Sequence, residues 1–153
     1  MTMTPIGTIY SPHKTKDGCP IQPIFASDAG GRVEVFQEYA AGLEDIEMFS
    51  HIYLIYQFDR AGAVELVRPT FLDDNPHGIY ASRLPCRPNG IGLSIVQLQR
   101  REGNILFVRG IDILDGTPLL DIKPYIPKFD VIASASNGWV GEKQWRPKPR
   151  DRE

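Results

Sequence analysis

Hydrophobic residues along this chain come in short runs, several of them alternating with polar ones, and the runs stop at Gly, Pro, Asn or Asp. That punctuation predicts strands and turns. Ile6 to Tyr10 reads as a strand closed by Ser11-Pro12, and Arg32-Val33-Glu34-Val35-Phe36 alternates strictly, as a half-buried strand does. Ile52 to Tyr56 is apolar without a break, β-branched and aromatic, which predicts a central strand buried on both faces, ending where Phe58-Asp59-Arg60 turns polar. Val64, Leu66 and Val67 form a candidate edge strand stopped by Arg68-Pro69. Gly78 to Ser82 reads as another strand. Ile91 to Leu98 and Ile105 to Val108 pair as a hairpin across residues 100–104, Ile111 to Leu114 and Leu119 to Ile122 are further short strands, and Lys123 to Pro127 is extended. The one helical candidate is Tyr39 to Met48, short and weakened by Gly42.

Many short strands, close-set turns and one short helix predict a mainly β fold, a single closed or nearly closed β-barrel. The 14 Gly and 13 Pro among 153 residues point the same way. The barrel is expected over residues 1–135, followed by a tail over residues 136–153 that carries five basic against three acidic residues from Glu142 onward. A net charge of −2 gives no global basic field, so a nucleic-acid partner must be met by a local patch. Cys19 and Cys86 lack metal-ligand spacing and the three His residues do not cluster with them, so no metal site is expected. Nothing at the N-terminus resembles a signal peptide, and no apolar run approaches the ~18 residues of a membrane span. A cytoplasmic protein with reduced thiols and no membrane partner is expected.

The densest chemistry lies in Gly78 to Ser94, GIYASRLPCRPNGIGLS. Pro85 and Pro88 restrict the backbone, Asn89-Gly90 is a strong turn pair, and the loop carries Arg83 and Arg87. Guanidinium groups on so restricted a backbone lose little freedom in gripping a carboxylate or phosphate, although a Pro-rich connection with two solvated arginines fits the spacing equally well. The second cluster, Gly110 to Pro124, places Asp112, Asp115 and Asp121 among apolar residues and turns. Asp115 fits both a turn-maker and a ligand contact. The long loop from His13 to Gly31 holds Pro23-Ile24-Phe25, a stiff apolar segment suited either to seating a flat ligand or to covering the core.

ASRLPCRPNGIGLS resembles the ATRSPxRPNPIGLS signature of the TrmO family of S-adenosylmethionine-dependent tRNA methyltransferases. Four other segments agree in order: residues 5–12, 43–51, 67–69 and 112–127. Leu84 stands where the family has Ser or Thr, and Gly90 where it has Pro, a change expected to loosen the loop. The resemblance implies a dimeric β-barrel that binds S-adenosylmethionine and methylates the N6 nitrogen of threonylcarbamoyl-adenosine next to the anticodon. It carries the cofactor contacts onto Pro23, Ile24, Phe25, Asp59, Arg60, Arg83, Leu93, Gly110, Ile111 and Asp112.

Such a ligand needs an apolar slot, an acceptor for its hydroxyls and a cation for its carboxylate. Pro23 to Phe25 offer the first, Asp59 or Asp112 the second, and Arg60 or Arg83 the third. The N6 proton must leave as the new bond forms, and Asp112 or Asp115 is the candidate base. Lys123 and the tail arginines are candidates for gripping the threonylcarbamoyl carboxylate. A barrel that binds the cofactor or RNA as a sensor, or methylates another substrate, is the alternative.

Overall fold

The computed structural model describes residues 1–16, 19 and 28–141. Pro23, Ile24, Phe25 and the basic tail from residue 142 lie outside the described residues. Six strands close a barrel: β1 (Gly7–Tyr10), β2 (Gly30–Val35), β3 (His51–Gln57), β6 (Ile91–Glu102), β7 (Ile105–Arg109) and β8 (Thr117–Pro124). Their order around the wall is β1-β2-β7-β6-β3-β8, and β8 pairs back onto β1, antiparallel throughout. A small two-stranded sheet, β4 (Val67–Pro69) with β5 (Pro76–Gly78), stands apart from the barrel.

Alternation builds the core. In β6, Gly92, Ser94, Val96 and Leu98 point inward while their neighbours are exposed. Ile9, Val33, Ile52, Leu54, Leu106, Val108 and Leu119 complete the filling, each fully buried. Closure gives each barrel strand a partner on both sides over part of its length, so no strand is left as an outer edge. Gly92 sits opposite Tyr56, and a methyl group there would fall 2.2 Å from the tyrosine ring. Only glycine lets that ring lie against the strand. Gly92→Ala is therefore expected to lower stability by about 1–3 kcal/mol through forced repacking, read from urea denaturation.

Several elements differ from their sequence reading. β3 is buried on one face only, because Tyr53 and Ile55 point to the barrel exterior, where neighbouring side chains half cover them. Residues 39–48 form two 3₁₀ turns, Gln37–Leu43 and Ile46–Met48, separated where Asp45 takes a left-handed φ of 67°. Ile79–Ala81 is likewise a 3₁₀ turn and not a strand, and β4 starts at Val67, leaving Val64 and Leu66 exposed. Ile111 to Leu114 is not a strand either. Ile111, Asp112 and Ile113 are buried consecutively but pair with no strand, as the chain leaves β7 through Gly110 at φ 81°. The hairpin after β6 is tighter than expected: β6 and β7 run to Gly103-Asn104, with a bulge near Gln99.

Candidate active site

One mouth of the barrel opens into a cavity of about 1290 Å³. Its floor is Tyr56, Gly92 and Asp112, and its walls include Phe58, Phe71, Leu72 and Leu93. The loop from Tyr80 to Asn89 forms one side and Trp139 another. Trp139 is fixed there by donating from Nε1 to the Ala81 carbonyl at 2.7 Å and by stacking on His77, whose ring also contacts Asp73.

At the floor runs a chain of buried polar groups. Ser94 Oγ donates to Asp112 Oδ1 at 2.6 Å, and Tyr56 Oη lies 3.0 Å from Ser94 Oγ. A serine has one proton, so with Ser94 donating to the carboxylate, Tyr56 must donate to Ser94. Burial pushes the Asp112 carboxyl up to about 7, against the opposing pull of the Ser94 hydrogen bond and the Arg83 charge. Burial and the neighbouring Asp112 likewise push the Tyr56 hydroxyl up. The backbone around Asp112 is held too: its carbonyl accepts from Cys19 Sγ at 2.9 Å, and His13 Nε2 lies 2.9 Å from the Ile111 carbonyl. Gly110 and Ile111 both donate to Ala29.

The expected site residues separate into groups. Asp59, Arg60, Arg83, Leu93 and Asp112 all line the cavity. Arg60 spends part of its guanidinium on the Asp115 carbonyl at 2.8 Å and Thr117 Oγ1 at 3.0 Å, and touches Asp59 at 3.3 Å. Gly110 and Ile111 do not line it; Ile111 is fully buried in the core, and the pair act by placing Asp112. Asp115 also falls outside. Its carboxylate accepts from Lys14 at 2.6 Å and from the Ser11 amide at 2.9 Å, and these hold its pKa below the usual carboxylate range. Lys123 lies on the barrel exterior paired with Asp121, so the described cations at the cavity are Lys16, Arg60, Arg83 and Arg87.

Arg87 braces the loop, donating from Nη1 to the Ser82 and Leu84 carbonyls. Leu84 packs with Ile79 and Cys86 in a small separate core, which accounts for an apolar residue at that position. Gly90 accepts from the Phe58 amide at 2.7 Å, tying the loop end to the barrel where a proline ring would otherwise stiffen it. Tyr56 and Ser94 are candidate site residues that the sequence reading missed. Both are polar groups at inward positions of otherwise apolar strand faces, a pattern visible once the strands' inner faces are known.

A closed antiparallel barrel with a buried carboxyl–hydroxyl chain beneath a large mouth is a ligand-binding barrel, distinct in architecture from the doubly wound nucleotide folds. The chain belongs to the TrmO family: residues 8–131 match the tRNA-methyltransferase O N-terminal domain. It is 54% identical over 136 residues to a Pyrococcus abyssi protein named a probable S-adenosyl-L-methionine-binding protein, covering 89% of this chain and 74% of that one. A human protein named tRNA (adenine(37)-N6)-methyltransferase is 35% identical over 133 residues, which are 82% of this chain but 30% of the human one. A crystal structure of TrmO superimposes with a TM-score of 0.79 at 41% identity, covering 90% of this chain and 63% of that one.

Proposed function

We propose that this protein is an S-adenosylmethionine-dependent methyltransferase acting on the N6 nitrogen of a tRNA adenine that carries a threonylcarbamoyl group. The observation that carries the reading is Asp112, a buried carboxyl with a pKa near 7 at the floor of a cavity open to a large substrate. The residues present suit the cofactor. Phe58, Phe71, Leu72 and Leu93 give apolar surface, Arg83 a cation for its carboxylate, and Asp59 an acceptor for its hydroxyls. At about 1290 Å³ the cavity exceeds the usual range for one small ligand, which leaves room for an acceptor base.

When bound, S-adenosylmethionine supplies an electrophilic methyl group. The acceptor N6 is conjugated to both purine and carbamoyl, so its lone pair becomes available only as its proton leaves. Asp112 accepts that proton. The Ser94 hydroxyl aims the carboxylate and Tyr56 fixes the serine rotamer, so the base is oriented before substrate arrives. Methyl label from S-adenosylmethionine is expected to reach tRNA bearing the threonylcarbamoyl group and not the same transcript lacking it. Unlabelled modified tRNA with cofactor binding intact would replace the methyltransferase by the sensor reading.

The reading includes a homodimer. Residues 123–127, the segment expected to supply it, keep one side open: β8 pairs with β1 only over Thr117 to Leu119, while Leu119 to Pro124 pair with β3. The exterior of β6 and β3 offers a second surface: Ile91 and Leu93, which also border the cavity, are exposed in one row with Ile95 beside Ile55 and Tyr53. Such a contiguous apolar face supports association between copies. Sedimentation equilibrium is expected to give twice the 17.2 kDa monomer mass at micromolar concentration; a pure monomer removes the dimer.

A further inference from the structure

On the opposite wall of the barrel the outward side chains form a second pattern. Tyr10 pairs with Arg32 across β1 and β2, Arg32 with Phe107 across β2 and β7, and Phe107 with Arg100 across β7 and β6. One row therefore crosses four strands and alternates ring, guanidinium, ring, guanidinium. Arg32 lies over the Tyr10 ring with its guanidinium carbon 4.4 Å from the centroid, and Arg100 lies over Phe107 at 3.9 Å. Both arginines are exposed while both rings are half-buried beneath them. Glu102 holds Arg100 through Nε at 3.0 Å. Arg32 makes no salt bridge among the described residues, and nor does exposed Arg109, on the neighbouring position of β7.

We propose that this row is a docking surface for unpaired RNA bases flanking the nucleotide held in the cavity. Two observations favour that occupant. The first is chemical: a guanidinium plane fixed on an aromatic ring offers its outer face to a base, and exposed Arg109 nearby, in no salt bridge among the described residues, suits phosphate. At ~4.8 Å between strands the row is about 14 Å long, enough for a short stretch of single strand. The second is position. Tyr10, Arg32 and Phe107 share a shallow hollow with Lys14 and Asp115, and the turn bearing Asp115 presents Leu114 and Thr117 to the large cavity on its other side. A loop with one base in the cavity and its neighbours crossing this turn reaches the row directly. The net charge of −2 fits a local footprint of this kind, whose contacts are few and placed.

The proposal rests on the tRNA reading, and its test separates the two. Binding of a fluorescently labelled anticodon stem-loop is measured by anisotropy for wild type, for the Arg32→Ala/Arg100→Ala pair and for the Arg32→Lys/Arg100→Lys pair, with melting temperature and S-adenosylmethionine binding as controls. The alanine pair is expected to lose about tenfold or more in affinity, and the lysine pair most of that, because an ammonium keeps the charge but not the planar stack. Stem-loop affinity equal to wild type in the alanine pair overturns the proposal, as does a wild type that does not bind the stem-loop. A changed sedimentation mass in the alanine pair also overturns it, by assigning the row to self-association. Turnover with an unchanged KM for tRNA in the alanine pair removes the row and leaves the methyltransferase standing. Absent turnover with the affinity loss intact does the reverse.

Discussion

Asp112→Asn is expected to slow methyl transfer by roughly 10²–10⁴-fold and to leave S-adenosylmethionine binding little changed, the pattern of a lost general base. The amide keeps an oxygen for the Ser94 hydroxyl, so the floor of the cavity retains its shape and only the proton acceptor goes. The wild-type rate should rise as pH passes through about 7, where burial has placed the carboxyl, and level off above it. The Asn variant should lack that inflection. Stability moves the other way. Asp112 has a folded pKa raised above its unfolded value near 3.9, so its favourable contribution is complete below about pH 4 and is lost as pH rises to about 7. At pH 8 the ionised side chain costs up to ~4 kcal/mol, which the amide avoids. The variant should therefore melt higher than wild type at pH 8 and close to it near pH 4. A carboxylate kept in a place where it destabilises the fold is the trade expected of a functional group. Calorimetry across pH, beside single-turnover rates, checks both halves.

Why the sequence disclosed some of this and hid the rest follows from where each signal comes from. β2 and β7 were legible because one face of each strand meets the core and the other meets water. β3 was not, since Tyr53 and Ile55 are apolar on the outer face as well. That unbroken run concealed which residues point inward, and with it the significance of Tyr56. Residues 111–113 failed for a related reason: consecutive apolar or buried residues imitate a strand, whereas here they cross the barrel end as irregular chain. In the signature loop, spacing alone treats Arg83 and Arg87 alike, and only the family resemblance singles out Arg83. Both line the cavity, and Arg87 there also donates to the Ser82 and Leu84 carbonyls of its own loop. As candidate bases Asp112 and Asp115 were equivalent until the fold placed one at the cavity floor and the other, two intervening residues on, outside it. Lys14 and Ser11, far away in sequence, then fix Asp115 on the outside.

Arg83→Ala is expected to weaken S-adenosylmethionine binding by roughly 1.5–3 kcal/mol, about 10- to 150-fold, if its guanidinium holds the cofactor's carboxylate. Arg83 is exposed at the cavity rim on a loop stiffened by Pro85 and Pro88, so little order need be gained on binding. The same residue has a second, separable effect. Its positive charge lowers the Asp112 pKa, and removing it lets burial push the carboxyl further up. The rate profile of Arg83→Ala, measured at saturating cofactor, should accordingly move to higher pH. A residue that merely shaped the loop would change affinity without moving that profile. Arg87→Ala supplies the contrast, since the Arg87 guanidinium donates to the Ser82 and Leu84 carbonyls and its loss is expected to loosen the loop with no shift in the midpoint. Arg83→Lys should restore the midpoint but only part of the affinity, because an ammonium keeps the charge and loses the two-pronged fit to a carboxylate. Calorimetric titration showing equal affinity for Arg83→Ala and wild type would take Arg83 out of the site and leave the cofactor's carboxylate to Arg60 or Lys16.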